Sequence, residues 1–289
     1  MLGILLLDKA PGVTSHDVVD AVRRRVGTRR VGHAGTLDPM GTGLLVVAVG
    51  PATRFLQYLD LEPKEYTGEI VFGRESTTQD ADGELSGPKP VPSDLEGALL
   101  GVLSQFLGLI RQTPPAYSAV KVAGKPLYKY ARAGFEVERP PRTVHVGEIE
   151  FLEAGADRVR FKIECSGGTY VRTLAHDLGQ ALGCGAYLNE LRRTRAGRFH
   201  VRQAISMDDI SDDRVMPLAD ALAPMPSVAL SPLEEAAIRQ GRRIPIEGLA
   251  ESTLVSVRDP EGLVFGIARV IGNQLQPECV LPIETSIRD

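Results

Sequence analysis

Residues 41–50 read GTGLLVVAVG, with six consecutive apolar residues, Leu44 to Val49, held between glycines. A run this short cannot cross a bilayer, which takes about 20 apolar residues. Its length and β-branched content suit a buried strand. The chain is therefore expected to be built around a sheet. LGILLLDK at the N-terminus reads as another buried strand. KEYTGEIVFG sets Tyr66, Ile70 and Phe72 on one side and Thr67, Glu69 and Val71 on the other, so it reads as half-buried. RVRFKIEC points Val159, Phe161, Ile163 and Cys165 inward and its charged groups outward.

Helices are expected between these strands. Thr14 to Asp17 has the form of a capping box, and Val18, Val22 and Val26 follow on one face. Residues 93–107 carry a stripe of Leu95, Leu99, Val102, Leu103 and Phe106. Ser166, Gly167 and Gly168 make a turn, and Thr169 is expected to cap a helix with Val171, Leu174, Leu178 and Leu182 on its core face. Arg172 then falls in the first turn, against the helix dipole, which suggests a specific anionic partner. Pro217, Pro224, Pro226 and Pro232 mark a linker in an acidic stretch. Beyond it come a short helix ending near Gly241 and three short strands, enough for a small barrel. With 289 residues, the chain divides into a large domain, 1–226, and a small one, 227–289.

A composition of 43% hydrophobic and 24% charged residues is that of an ordinary soluble globular protein. The apolar N-terminus lacks a basic leader and a small-residue cleavage site, so no signal peptide is expected. Cys165, Cys184 and Cys279 are widely spaced and lack metal-ligand spacing. They read as reduced thiols of a cytoplasmic protein. The net charge of −4 argues against a nucleic-acid partner, but its distribution argues for one. Residues 21–54 hold six arginines, Arg29 and Arg30 among them, against Asp38 alone. Residues 111–145 hold seven basic residues against two acids. Residues 186–202 hold five arginines against Glu190. Such segregation can form a basic groove on an acidic body. The segment 111–142, bracketed by Pro-Pro pairs, interleaves Lys121, Lys125, Lys129, Arg132 and Arg139 with Tyr117, Tyr128 and Tyr130. Phosphate contacts and stacking faces for unpaired bases are thereby combined in one lobe.

No phosphate loop, dinucleotide fingerprint, zinc-protease motif or nucleophile elbow occurs. What remains is RRVGHAGTLDPMGTG, where a lone carboxylate, Asp38, and His33 stand among small residues. Read by spacing alone, an Asp-Pro pair is most often an Asx turn before a strand. Asp-x-x-Gly-Thr also matches phosphorylated-aspartate enzymes weakly, and such chemistry would need a magnesium-binding acid cluster.

Several stretches together resemble the TruB family of tRNA pseudouridine synthases: LLLDKAPGVTSHDVV, VGHAGTLDPMGTGLLVVAVG, KEYTGEI, TTQDADGE, QTPPAYSAVKVAGKPLYKYARAG and SGGTYVRTLAHDLG. The resemblance covers residues 1 to about 200, and the tail is similar to the PUA-type RNA-binding barrel. One departure is Ala10, which intervenes where the family often has proline directly after the lysine. The resemblance implies an α/β fold with a mixed, largely antiparallel sheet, flanking helices and the small C-terminal barrel. It implies isomerisation of uridine 55 in the T arm of tRNA to pseudouridine, by base flipping and without cofactor or metal. Asp38 matches the catalytic aspartate, as nucleophile or as base, and Arg172 the arginine that pairs with it. Tyr66 matches the tyrosine that stacks on the flipped base, and His33 the histidine that fills the gap left behind. Asp80 and Tyr170 match positions lining the pocket. Lys9 is a candidate structural or phosphate contact, and 111–142 matches the RNA-gripping insertion. A monomer that binds the T stem-loop follows. A non-catalytic RNA-binding or tRNA-folding protein on the same scaffold is the rival reading.

Overall fold

The computed structural model describes residues 2–282, apart from residues 119, 123 and 136 and the side chains of residues 121, 128 and 132. Strand β1 (Gly3–Lys9) leads into α1 (Ser15–Val26), then β2 (Val31–Ala34) and β3 (Thr42–Val49). The Thr14–Asp17 capping box forms as expected, and Gly27 closes α1 in the left-handed region at φ 66°. Next come β4 (Lys64–Phe72), α2 (Leu95–Val102) and β5 (Gly108–Gln112). The basic segment holds a small hairpin, β6 (Lys121–Val122) and β7 (Lys125–Pro126), and α3 (Leu127–Arg132). The main body is completed by β8 (Arg142–Ala154), β9 (Arg158–Cys165), α4 (Val171–Ala181), β10 (Ala186–Ala196) and β11 (Phe199–His200).

Nine of these strands form one sheet in the order β1-β3-β10-β4-β9-β8-β5, with β2 added to β3 and β11 to β10. Every pairing is antiparallel except β3 with β10. The apolar run of β3 is buried throughout, as its composition demands. β3 pairs β1 from Gly43 to Val49, while β2 opposes only Val46–Val49 and β10 only Thr42 and Gly43. The loop joining β2 to β3, residues 35–41, therefore sits where β2 ends and β10 arrives. Val18, Val19 and Val22 of α1 pack against β1 and β3. Leu95 and Leu99 of α2 and Leu174 and Leu178 of α4 cover the Tyr66, Ile70 and Phe72 side of β4.

After α5 (Leu218–Ala221) the chain forms β12 (Ser227–Ala229), α6 (Pro232–Arg239), β13 (Ile244–Pro245), β14 (Leu254–Arg258), β15 (Val264–Ile271) and β16 (Gln274–Val280). The three strands expected near the C-terminus are β14, β15 and β16. They lie in a five-stranded sheet ordered β12-β14-β15-β16-β13, whose end strands do not pair with each other. The sheet is thus curled rather than a closed ring. Phe55 and Leu222 of the main body share a core with Ile267 and Cys279 of this sheet. No helix among the described residues is long and apolar enough to cross a membrane.

Candidate active site

Six segments converge on one cavity of about 460 Å³: the 35–41 loop, the start of β4, Ser118 and Val120 of the basic insertion, Arg142 at the start of β8, the start of α4 and the middle of β10. The loop reaches it because Gly35, at φ 73°, turns the chain out of β2. Gly41 N–H donates to the backbone carbonyl of Asp38 at 3.0 Å, so the Asp-Pro pair makes a backbone β-turn rather than the Asx turn its spacing suggests. Below the loop, Lys9 is fully buried. Its ammonium donates to the carbonyls of Val13 at 2.6 Å and of Ala10 and Pro39 at 3.1 Å each. Lys9 is therefore a structural clamp, with no free face for a phosphate. Burial pulls its pKa down from 10.5 to about 8, opposed chiefly by Asp38.

Arg172 lies 2.8 Å from Asp38, Nε to Oδ2. The Nε–H is not aligned for a hydrogen bond, so this is an ion-pair contact. The other end of the guanidinium is fixed: Nη1 donates to Thr78 O at 3.1 Å and Nη2 to Tyr117 O at 2.9 Å. Nη1 also lies 3.3 Å from Asp80 Oδ2. One buried guanidinium thus serves two carboxylates and two carbonyls. Asp80 stands behind Arg172 and does not line the cavity, which differs from the sequence expectation. Thr78 Oγ1 at 2.5 Å and Asp82 N at 3.2 Å donate to its Oδ1. The polar loop 74–84 supplies a support for the arginine rather than a wall. Burial pushes the Asp38 carboxyl above the ordinary carboxylate range; Arg172 opposes this and Asp80 reinforces it. A third of the Asp38 side chain still faces the cavity.

Tyr66 is 7% exposed and lines the cavity from β4. Burial raises its phenol pKa, and Arg193 opposes the rise. Tyr170 lines it from the head of α4. The expected cap by Thr169 does not form: Tyr170 is the N-cap residue, without a side-chain hydrogen bond. Buried Gln112 holds the helix start instead. It accepts from Tyr170 N at 3.0 Å and donates to Tyr170 O at 3.2 Å. Arg142, from the base of the insertion, stacks 5.6 Å from the Tyr170 ring centroid.

His33 is half-buried on β2 and does not line the cavity. Its Nδ1 is buried without a partner, and burial, followed by Arg193 and His16, pulls its pKa down. Arg29 and Arg30 are exposed where β2 begins. Lys125 and Lys129 are exposed on the insertion, whereas the side chains of Lys121 and Arg132 fall outside the described residues. No group of three or more His, Cys, Asp or Glu among the described residues is placed to hold a metal.

The residue that sequence reasoning missed is Arg193, which is 1% exposed. Its Nε donates to Leu44 O at 2.7 Å and its Nη2 to Gly35 O at 2.9 Å. It ties β3, the Asp38 loop and β10 together. A signal existed: Leu188, Leu191 and Arg193 lie on the buried row of β10, so a charge stands among leucines. The surrounding run of arginines hid it.

A family model described as TruB family pseudouridylate synthase (N terminal domain) matches residues 23–171. The chain belongs to the TruB family. Two further models match the remainder: the tRNA pseudouridylate synthase B C-terminal domain over 172–237, and pseudouridine synthase II TruB, C-terminal, over 226–281. Among similar proteins is the tRNA pseudouridine synthase B of Thermobifida fusca, 45% identical over 96% of this chain and 98% of the relative. That of Syntrophus aciditrophicus is 40% identical over 94% of this chain and 92% of the relative. In structure the chain is similar to a protein of an H/ACA RNP bound to a substrate RNA containing 2'-deoxyuridine. The TM-score is 0.71 at 26% identity, covering 97% of this chain and 85% of that one. The enzyme class and the mixed, largely antiparallel fold expected from sequence are thereby shown.

Proposed function

We propose that the chain converts uridine 55 in the T stem-loop of tRNA to pseudouridine, with Asp38 as its essential carboxylate. The observation that carries this reading is Asp38 at the cavity edge, 2.8 Å from a buried Arg172, in a cavity that Tyr66 also lines. Curated relatives named tRNA pseudouridine synthase B supply the tRNA. A paired base cannot meet a carboxylate at this depth, so the nucleotide must leave its stack. A cavity of about 460 Å³ is in the range of small-ligand sites. The flipped base lies on Tyr66 and Tyr170, and Asp38 attacks the nucleoside or takes a sugar proton. Arg172 opposes the rise that burial imposes on the Asp38 pKa and so favours the carboxylate that either role needs.

His33, at the end of β2, fills the gap left in the RNA stack. Arg29, Arg30 and the lysines and Arg132 of the insertion 111–142 grip phosphates. Residues 1–226 form the catalytic domain and 227–289 a PUA-like domain that contacts RNA. The enzyme works as a monomer in the cytoplasm, where its three free, buried cysteines remain reduced.

The test is tritium release from tRNA labelled at uridine C5, run with chelator and no added cofactor. The wild type is expected to release about one equivalent. Asp38→Asn is expected to release none while still binding tRNA. Release by Asp38→Asn at the normal rate refutes the assignment.

A further inference from the structure

Arg193 is a buried cation without a buried anion. No carboxylate among the described residues comes within ion-pair distance of it; its fork donates to the carbonyls of Leu44 and Gly35 and lies beside the Tyr66 phenol. At the other guanidinium the balance is reversed, since Asp38 and Asp80 together face Arg172. A guanidinium taken out of water without a counter-charge is costly. Two carbonyls could be bound by a neutral side chain at less cost. The position of the charge is informative. Arg193 stands directly opposite Tyr66 in the β10–β4 register and lines the same cavity as Asp38. Its Nη1 is the atom nearest to where a Gly35 side chain would start, at 3.2 Å, so the guanidinium edge lies against the Asp38 loop.

The reaction supplies the missing anion. When N1–C1′ breaks, its electron pair leaves with the uracil, which becomes an anion delocalised over N1, O2 and O4. The sugar is balanced at Asp38, either by a new bond from its oxygen to C1′ or by loss of the C2′ proton to it. The base then turns, C5 bonds to C1′, and Asp38 is released or returns its proton. Finally C5 gives up its proton to solvent and N1 takes one. The ring is most electron-rich between cleavage and re-addition.

We propose that Arg193, which with Arg172 is one of the two buried cations lining the cavity, stabilises the detached uracil anion electrostatically, in addition to fixing the Asp38 loop. This rests on the isomerase reading above. A charge fixed at the wall of a cavity that the flipped base fills is already oriented before the anion forms, which is where such stabilisation is strongest. Arg193 also opposes the burial-driven rise of the Tyr66 phenol pKa, so its field reaches the base-stacking wall.

The test compares uridine with 5-fluorouridine at the target position of the tRNA. Fluorine makes the uracil anion intrinsically more stable, so a 5-fluoro substrate depends less on an enzyme cation. Consumption of the target nucleotide is followed under single-turnover conditions with enzyme in excess, alongside tRNA affinity and thermal melting. Arg193→Gln is expected to slow uridine by about 10²-fold but 5-fluorouridine by only about tenfold, with tRNA affinity within about threefold of wild type. Arg193→Lys, which keeps the charge but not the fork, is expected to show the wild-type ratio between the substrates. Equal slowing of both substrates by Arg193→Gln reduces Arg193 to a loop clamp and overturns the proposal. If Arg193→Gln is inactive or does not fold, Arg193→Lys decides: turnover of uridine within about tenfold of wild type supports the charge, and loss of activity in a folded protein overturns it. A wild type that converts neither substrate refutes the isomerase reading instead.

Discussion

Replacing Arg172 with Met removes the cation between Asp38 and Asp80 while keeping an unbranched side chain of similar reach. Four contacts are lost: Asp38 at 2.8 Å, Asp80 at 3.3 Å, Thr78 O at 3.1 Å and Tyr117 O at 2.9 Å. The two hydrogen bonds, from a charged group to carbonyls, are worth about 1.5–3 kcal/mol each, so a site that could not relax would lose roughly 3–6 kcal/mol from them alone. Asp38 is one-third open to the cavity, so water can solvate it once the arginine is gone. We therefore expect the loss typical of a broken buried pair, about 3–5 kcal/mol in urea unfolding. Asp80→Asn in that background removes one of the two abandoned charges. The double variant should consequently be more stable than the sum of the single losses, with a coupling of about 1–3 kcal/mol. Activity should respond through the Asp38 pKa. Arg172 is the main influence holding that pKa down, so its loss raises it further. The carboxylate is then protonated at a higher pH, and the acid limb of the single-turnover profile should move upward in pH. Stability within about 0.5 kcal/mol of wild type, or no coupling to Asp80, would refute this account of the triad.

Lys9 gives a pH signature of opposite origin. Its folded pKa of about 8 is below the unfolded value of 10.5, so between these pH values the unfolded chain holds the extra proton. Stability should rise with pH over that window, by at most about 3 kcal/mol relative to Lys9→Met; a flat difference between the two proteins contradicts the burial of this amine. Gly43 has φ 93°, and a Cβ there would meet Arg193 O at 2.3 Å and Arg193 N at 2.9 Å. Gly43→Ala should cost about 3 kcal/mol or more by thermal melting. Gly12→Ala, with φ 80° but nothing within 4 Å, should cost only about 1–2 kcal/mol. Affinity for tRNA should fall linearly on a log-log plot against salt, and Lys125→Ala with Lys129→Ala should flatten the slope by about one to two. A slope unchanged by both substitutions would remove the insertion from the RNA interface.

Local patterns made most of the strands and helices legible. The run of β3, the alternation in β9 and the Thr14–Asp17 box depend on neighbours two to four residues apart, and each formed where the pattern put it; β4 formed as a strand too, but Glu69 and Val71 of its expected outer side are buried. The start of α4 was misread because its control is long-range: Gln112 serves both Tyr170 groups from 58 positions away. Asp80 was expected at the pocket wall, and only the packing of loop 74–84 against α4 turns it to the back of Arg172. Lys9 left two roles open until three carbonyls were found around its ammonium.

By itself the sequence determined the sheet-centred class, the separation of basic from acidic segments and, through long motifs, the family with its aspartate. Those properties are carried by residue order and type, which no packing can alter. Tertiary structure alone decided which charges meet. Asp38 and Arg172 are 134 positions apart in the chain (172 − 38), and β2 and β10 must share one edge of β3 before the loop and α4 come together. An arginine in a run of arginines looks solvated in sequence. Only burial between β3 and the loop left Arg193 charged, dry and facing the cavity, because electrostatic strength depends on the surrounding medium and not on the residue's name.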